Sequence, residues 1–462
     1  MAFRYSHCCL VLLCAAPLLF AKPGDMLPDK GTPDIGKDLA PDAPAADPAA
    51  PPALDDDAFA KAAQRLIRQL DAAELSKRDL AETELVRLGA RVLPLLPKPG
   101  DVLGANAQQA LTRIRAKLEV ATARAAAEST TVELTGKHTL KHILSELTRQ
   151  TGNKFDNLDR MPPELLDKKH DVTWRAMPFW TALDDICDMA RLTVYPYDQG
   201  PGISLRPKPD LLLPRSDLAG YVGPLRLEAT SLTLERDPRV AGNPQLRIGL
   251  EISWEPRLRP ISVELPLDKI SAIDDQNRRL ESARKEGLAT ALIPSGAKAT
   301  ELQVLLEAPP RTASILDLVK GKVRMLLPGR IEKFEFENLA ETLKPEQKWE
   351  KKIAQATVTI ERIQRTNDLW EVQMKLSYEQ AHDAFDSHLA GWILQYTPQL
   401  IDAEGKVQDH AGYDTALRND KEYGITYYYD IPTIQGTKFV YSCPAVLQRI
   451  ELEYELKNLR LP

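Results

Sequence analysis

The sequence predicts a multidomain α+β protein with an N-terminal helical module, a small βαβ-βαβ module and two antiparallel β-sandwich domains. Three observations lead to this prediction. The chain has 462 residues, which is too long for one ordinary hydrophobic core. Apolar residues recur at helical spacing between about residues 58 and 128. Over much of the second half they alternate strictly with polar residues.

The first 21 residues have the three parts of a secretory signal. Arg4 stands near the start, an apolar stretch runs from Cys8 to Phe20, and Ala21 provides a small residue for cleavage. Lipid attachment at Cys14 is the less favoured alternative, because Leu13 stands where a small residue is expected. We therefore expect an exported protein, in the periplasm, at the cell surface or outside the cell.

Residues 22–57 form a linker rich in Pro, Ala and Asp. It contains too few large apolar side chains to offset the entropy of folding, so we expect it to be disordered. After residue 21 no apolar run approaches the roughly 20 residues needed to cross a bilayer, so the mature chain is expected to have no integral membrane span. The formal net charge of -6 argues against nucleic acid as a partner.

The chain has 5 cysteines, of which only Cys187 and Cys443 lie beyond the predicted signal. Two cysteines are too few for a disulfide-built scaffold. They lie in different predicted domains, so a bridge between them would require those domains to dock. We predict instead that both are small buried hydrophobes.

A helical module is predicted over residues 58–128. A second helix is expected to start at Ser76, with Asp79 three residues on as a capping pair, and to end at Gly89. The apolar stripes of the flanking helices are Phe59, Ala63, Leu66, Ile67 and Leu70 in the first, and Ala107, Leu111, Ile114, Leu118, Ala121 and Ala125 in the third. The leucine-rich helix pair, followed by an Arg-rich closing helix, resembles a single HEAT-type unit. The resemblance implies a cap or a small docking module, because solenoids need several such units.

Residues 131–206 contain an internal duplication. The first copy, VELTGKHTLKHILSELTRQTGNKF, begins at Val132, and the second, VTWRAMPFWTALDDICDMARLTVY, begins at Val172. Each copy is predicted to form a strand, a turn, a helix and another strand, and a closing strand follows from Ile203 to Arg206. This βαβ-βαβ pattern resembles the short N-terminal (STN) domain of secretins and TonB-dependent receptors. The resemblance implies a periplasmic module that docks another protein.

A Pro-rich linker at residues 207–219 leads into a half built from strands. Apolar and polar residues alternate strictly over residues 246–254, which predicts a strand with one buried face. Similar alternation recurs to the end of the chain. We predict two sets of strands, a first sandwich over residues 220–340 and a second over residues 341–462.

Both strand sets end in a similar way. The first ends with RIEKFEFENL from Arg330, and the second with RIELEYELKNL from Arg449. We therefore expect each of these strands to close its own sandwich. The number and spacing of the strands resemble tandem immunoglobulin-like β-sandwiches. This architecture carries no function by itself.

The commonest catalytic motifs do not occur in the sequence. There is no phosphate-binding GxxxxGK[ST] loop, no GxGxxG after a strand and no GxSxG nucleophile elbow. We therefore predict no catalytic residue and no cofactor. An unrecognised hydrolase that uses paired Asp and Glu side chains stays open as an alternative, because the separation of two carboxylates cannot be inferred from sequence.

Two groups of side chains have the chemistry of metal ligands. His138, His142 and Glu146 are spaced by four residues, but Thr139 stands where an HExxH zinc protease has its general base. Solvated histidines are the favoured interpretation. The densest group of ligand-type residues lacks the calcium-loop spacing, so a polar loop is favoured over a metal site there. Its members are His382, Asp383, Asp386 and His388.

The C-terminal part is rich in aromatic residues. Sugar-binding sandwiches use exposed aromatic side chains beside acids, so four residues are candidates for ligand binding. They are Trp392, Tyr396, Tyr423 and Tyr428. A buried core is the favoured interpretation, because aromatic residues also have high strand propensity and supply core area.

Together these patterns favour an exported, non-enzymatic adaptor or scaffold of the bacterial envelope that binds a protein partner. The first alternative is a surface protein that binds polysaccharide through the C-terminal aromatic residues. The second is the unrecognised hydrolase. A cleft with two converging acids would favour the enzyme, an exposed aromatic strip would favour sugar binding, and a flat apolar patch would favour a protein partner.

Overall fold

The fold is described from a computed structural model. The residues described are 56–97, 104–126, 128–198, 200–215, 218–236, 239, 244–340, 349–381, 383–386 and 389–462. The predicted signal and all but the last two residues of the predicted linker at 22–57 lie outside them. Leu54–Pro462 form one unit, and every feature below belongs to it.

Three α-helices form the helical module and share one apolar core. They are α1 (Asp56–Gln69), α2 (Leu75–Arg87) and α3 (Ala105–Ala126), with a 3₁₀ turn at Ala90–Leu95 between the last two. The predicted capping pair of Ser76 and Asp79 does not form, because Glu74 is the N-cap residue of α2 and its side chain makes no capping hydrogen bond. Gly89 adopts a φ of +75° just after α2, which confirms it as the stop. No helix among the described residues is long and apolar enough to cross a membrane.

The segment 131–206 contains two strand–helix units that match the predicted duplication. Its elements are β1 (Thr131–Thr139), α4 (Leu140–Thr151), α5 (Pro163–Leu166), β2 (Lys169–Pro178), α6 (Phe179–Ala190), β3 (Leu192–Tyr195) and β4 (Ser204–Pro207). β1 pairs with β2 and β3 pairs with β4, both antiparallel. α4 and α6 share one core with these strands. The strand predicted after α4 is reduced to one parallel bridge between Phe155 and Ile203.

The next strands build a first sandwich of two facing sheets. They are β5 (Gly220–Val222), β6 (Leu225–Glu235), β7 (Gln245–Trp254), β8 (Ser262–Pro266), β9 (Ser271–Asp274), β10 (Arg279–Glu281), β11 (Leu288–Leu292), β12 (Ala299–Glu307) and β13 (Ile315–Pro328). One sheet has the order β12-β7-β6-β5, and the other has the order β10-β9-β13-β8-β11. Buried side chains of both sheets form one core. The strand predicted over residues 246–254 is confirmed as β7, but the prediction of a single buried face is wrong, because every residue from 248 to 254 is buried.

The remaining strands build a second sandwich. They are β14 (Ile331–Phe336), β15 (Trp349–Ile353), β16 (Ala356–Thr366), β17 (Leu369–Tyr378), β18 (Gln399–Ile401), β19 (Val407–Gln408), β20 (Gly412–Arg418), β21 (Glu422–Tyr429), β22 (Lys438–Pro444) and β23 (Leu447–Arg460), with a 3₁₀ turn at Ala390–Gln395. The order β14-β22-β18-β19 forms one sheet, and β15-β16-β17-β21-β20 forms the other. Their buried faces share a second core.

The two sandwiches exchange the strands that were predicted to close them. β14 follows the first strand set but pairs with β22 in the second sandwich. β23 ends the chain and pairs with β13 in the first sandwich over its whole length. The predicted boundary between residues 340 and 341 therefore does not separate the sandwiches. Alternation showed which face of each closing strand is buried, but it does not specify which sandwich supplies the core.

A single antiparallel ribbon results, which we call the shared ribbon (residues 315–336 and 439–460). Its register is unbroken from one sandwich to the next. At the crossing point the Gly329 amide donates to the Val446 carbonyl oxygen at 2.7 Å, and the Ala445 amide donates to the Arg330 carbonyl oxygen at 2.8 Å. The α3 helix packs on this point, where Glu119 binds the Arg330 guanidinium at 2.9 Å.

Both remaining cysteines are buried and free. Cys187 lies on α6 and Cys443 on β22, so the prediction of two small buried hydrophobes is confirmed. Burial raises the pKa of the Cys443 thiol to about 12, although a hydrogen bond with Tyr378 acts in the opposite direction. The thiol therefore stays protonated and unreactive at neutral pH.

Candidate functional site

A concave site of about 560 Å³ lies where the duplicated module, the two sandwiches and the shared ribbon meet. We call it the junction cleft. It is lined by Gly200 and Pro201 of the module, residues 256–261 and 293–298 of the first sandwich, residues 327–329 and Ile331 of the ribbon, and Trp392, Gln395 and Tyr396 of the second sandwich. Its size is within the range of known ligand sites.

Five of the residues that line the cleft are prolines. Each proline fixes its own φ angle and offers no backbone N–H. At these positions the wall is therefore stiff and has no backbone donor. The five residues are Pro201, Pro256, Pro260, Pro294 and Pro328.

Lys298 ties the module to the first sandwich at the edge of the cleft. Its buried ammonium group donates to the carbonyl oxygen of Asp198 at 2.7 Å and to that of Gly200 at 2.9 Å. Its Nζ atom also lies 3.6 Å from a carboxylate oxygen of Asp156. The charge of Lys298 is thus compensated by these carbonyl oxygens and by the Asp156 carboxylate.

Glu255, which directly follows β7, holds the segment that carries the cleft arginines. Its buried carboxylate accepts hydrogen bonds from the Thr130 amide at 2.9 Å and the Asn153 side chain at 3.0 Å, both in or beside the duplicated module. It also accepts from Nε of Arg257 at 2.8 Å. One buried acid therefore fixes both the docked module and the start of the 256–261 wall.

A second buried cluster fixes the docking further from the cleft. The Arg226 guanidinium contacts Asp184 of α6 at 2.6 Å and Glu228 at 2.9 Å. The hydroxyl of Tyr221 also donates to Asp184, at 2.7 Å. Burial alone would lower the pKa of Arg226, but the charges of Asp184 and Glu228 raise it, so the arginine stays charged. The module and the first sandwich are thus joined by compensated buried charges.

Arg259 differs from the other two basic residues of the cleft. It is exposed, and it has no hydrogen-bond or ion-pair partner within the described part of the chain. The positive charge of Arg259 acts on the half-buried Tyr396. Burial raises the pKa of the Tyr396 phenol to about 12, and the charge of Arg259 lowers it in part. The phenol is therefore protonated at neutral pH. The cleft thus contains both an exposed guanidinium and a hydroxyl donor whose pKa is affected by the charge of that guanidinium.

Two of the four aromatic candidates are part of the core. Trp392 is 1% exposed and Tyr423 is 5% exposed. Both pack on Phe385, with ring centroids 6.4 and 6.3 Å away. The Trp392 indole donates to the Ala384 carbonyl oxygen at 2.9 Å. These two candidates therefore follow the favoured core interpretation and not the alternative of an exposed sugar-binding strip, because they lie in the apolar core of the second sandwich.

The other two aromatic candidates lie apart from each other. Tyr396 lines the junction cleft beside Trp392, with their ring centroids 5.8 Å apart. Tyr428 lies on β21, where its hydroxyl donates to Asp414 at 2.8 Å. The structure does not bring the four candidates together into one site.

The candidate metal ligands do not assemble among the described residues. No group of three or more His, Cys, Asp or Glu side chains that could hold a metal ion occurs there. Asp383 binds Arg449 at 3.0 Å, and Asp386 is half-buried. His382 and His388 lie outside the described residues.

The histidines of the duplicated module form a pair with rings 4.8 Å apart, His138 and His142. Glu146 is bound instead to Arg149 at 2.7 Å and to Gln150 at 3.0 Å. The strand register also places His170 opposite His138, which sequence spacing could not show.

Sequence reasoning missed the residues that give the cleft its charge. The run EPRLRP at 255–260 and the turn IPSGAK at 293–298 combine proline with basic residues. This composition was a signal, but only the fold shows that the two segments face each other. Comparisons with protein-family models, curated proteins and solved structures find no match to this chain.

Proposed function

We propose that the protein is an exported, non-enzymatic adaptor that binds a segment of a partner protein in the junction cleft. The observation that supports this most is the combination of a preformed cleft with an unpaired arginine. A site whose walls are already ordered loses little entropy when it binds. A charge that faces solvent without a partner is available for recognition.

The docked module contributes to this proposal in two ways. Its loop provides Gly200 and Pro201 to the cleft. Its resemblance to the STN domains of secretins and TonB-dependent receptors also favours a role in protein contacts. The module contacts the first sandwich through Asp184 of α6, which binds Arg226, and through Asn153, which binds Glu255. In our proposal the module therefore acts together with the sandwiches and not as an independent binding domain.

The alternatives have less support from the same site. Binding of polysaccharide would require a row of exposed aromatic rings, and Trp392 and Tyr423 are buried. A hydrolase of the two-acid type requires converging carboxylates. No described residue that lines the junction cleft is acidic. We therefore retain the adaptor as the proposed function.

Site-specific photo-crosslinking tests the proposal. Ile331 lines the cleft and is 46% exposed, so a benzoylphenylalanine placed there should form an adduct with a partner protein in the producing cell. The matched control is the same replacement at Leu417 on β20, which is 39% exposed and outside the cleft. The adduct should form only from position 331. No adduct there, or the same adduct from both positions, would contradict the proposal.

A further inference from the structure

We infer that the segment bound in the junction cleft carries an acidic side chain, which contacts Arg259 and the hydroxyl of Tyr396. This inference rests on the proposed function and assigns the chemistry of the partner. Its first basis is charge. The described lining contains three basic residues, Arg257, Arg259 and Lys298, and no acidic residue.

The three charges do not contribute equally. Arg257 is bound to the buried Glu255, and Lys298 is held by two carbonyl oxygens with Asp156 close by. These pairs lie in the protein wall, so they hold the cleft together and carry little net charge. Arg259 adds a charge that no described residue balances. The cleft thus has a local positive charge at one defined position.

The second basis is the kind of donors present. A guanidinium binds a carboxylate through two parallel hydrogen bonds, and such charge-assisted bonds are shorter and stronger than neutral ones. Tyr396 stays protonated at neutral pH, so its hydroxyl adds a third donor beside Arg259. A phenol and a guanidinium together complement the two oxygens of one carboxylate.

The third basis is the character of the walls. Leu258, Ile293 and Ile331 are apolar, and the five prolines present no N–H to a bound chain. The prolines reduce the number of backbone donors that a strand added along this wall could use. Recognition therefore depends on side chains, with apolar residues of the partner on either side of the acid.

A positional-scanning library tests the inference with the full chain. The probes are hexapeptide mixtures with one fixed residue per mixture, acetylated at the N-terminus and amidated at the C-terminus. The affinity of each mixture for the full chain is measured. Mixtures with Glu or Asp fixed should bind at least tenfold more tightly than those with Lys fixed. Arg259→Glu should reverse this preference. Arg418→Glu makes the same charge change on the exposed strand β20 and should leave the preference unchanged.

Further probes of the same experiment distinguish an acidic side chain from two other sources of a carboxylate, a free C-terminus and an acidic sugar. Peptides with Gln fixed and a free C-terminus, and oligogalacturonate as an acidic sugar, should each bind at least tenfold more weakly than the Glu mixtures. Tyr396→Phe keeps the ring and should weaken the Glu mixtures by at least about tenfold, the value of one hydrogen bond to a charged group. Tighter binding of either alternative probe would overturn the inference.

The outcomes also separate the inference from the proposed function. If hexapeptides bind but the acidic ones have no advantage, or Arg259→Glu has no effect, the inference fails and the adaptor function stands. If a crosslink forms from position 331 but no acidic mixture binds, the inference fails in the same way. If neither peptides nor a crosslinked partner are found, both fail.

Discussion

At the scale of single residues, the buried charges decide how the duplicated module is held. Arg226 lies between Asp184, Glu228 and, at 3.7 Å, Glu251, and hardly any of its surface reaches solvent. Such a pair adds little net stability, because taking the ions out of water is costly. Its removal is costly in another way, since the partners are left buried without compensation.

We predict that Arg226→Met lowers the free energy of unfolding by about 3–5 kcal/mol, the loss expected when one partner of a buried ion pair is removed. Arg247→Met removes an exposed pair with Glu235 in the same sandwich and should cost far less. Urea unfolding followed by tryptophan fluorescence measures both variants. Equal losses would show that the Arg226 cluster is no more important than a surface pair.

The residue scale also shows how much of the site the sequence could reveal. Proline and basic residues at 255–260, and the aromatic Tyr396, were visible as residue types. Their meeting in one cleft was not, because it depends on contacts between segments more than 100 residues apart. Trp392 was named as a ligand-binding candidate although a core position was favoured, since aromatic composition alone does not distinguish a core from an exposed strip.

At the scale of elements, the periodic patterns were the most informative. Period-two alternation predicted β7 and period-3.6 stripes predicted α1 and α3, because each pattern reports one apolar face. The exchange of β14 and β23 was not predictable from these patterns. An alternating strand fits any apolar sheet face, and the two closing strands have nearly the same sequence.

Gly321 on β13 allows the shared ribbon to close tightly over the first core. Tyr454 lies opposite it on β23, and a Cβ atom at 321 would come within 2.5 Å of the phenol carbon that carries the hydroxyl. We predict that Gly321→Ala displaces this buried ring and costs about 1–3 kcal/mol by overpacking. Gly412→Ala on β20 meets nothing within 4 Å and should be nearly neutral. Thermal unfolding distinguishes them, and an equally small effect at both positions would contradict the packing argument.

The helical module has a pH-dependent link between α2 and α3. Glu82 binds Arg113 at 2.7 Å and Lys117 at 3.0 Å. The hydrogen bond from Arg113 lowers the pKa of Glu82 most, burial opposes this, and Lys117 lowers it further. A carboxyl whose pKa is lowered by folding stabilises the fold above its unfolded pKa, and this contribution is lost as the pH falls through the folded value.

We therefore predict that Glu82→Gln destabilises the helices at pH 7 and that this difference shrinks below the ordinary glutamate pKa of 4.5. Circular dichroism at 222 nm over a series of pH values measures the melting of wild type and variant. Glu84→Gln, which removes a pair with Arg87 within α2 alone, is the matched control and should have a smaller effect. A difference that stays constant down to pH 3 would contradict the link.

At the scale of the whole molecule, the shared ribbon makes the sandwiches depend on each other. Each sandwich contains a strand that continues from the other one, and the ribbon crosses between them without a break in its hydrogen bonding. Ile261 and Leu326 of the first sandwich also pack in the core of the second. Neither core can therefore lose its ribbon strand without disturbing the other.

We predict that the two sandwiches unfold together. Phe336→Ala creates a cavity only in the second core, which typically costs about 3–5 kcal/mol. Hydrogen exchange followed by mass spectrometry should show that the slowest amides of β7 in the first sandwich and β17 in the second are accelerated by the same factor. Val304→Ala in the first core is the reciprocal variant and should accelerate both strands equally as well. If each variant accelerated only the strand in its own sandwich, the ribbon would join two independent folding units, and the cleft between them would not be held by their common stability.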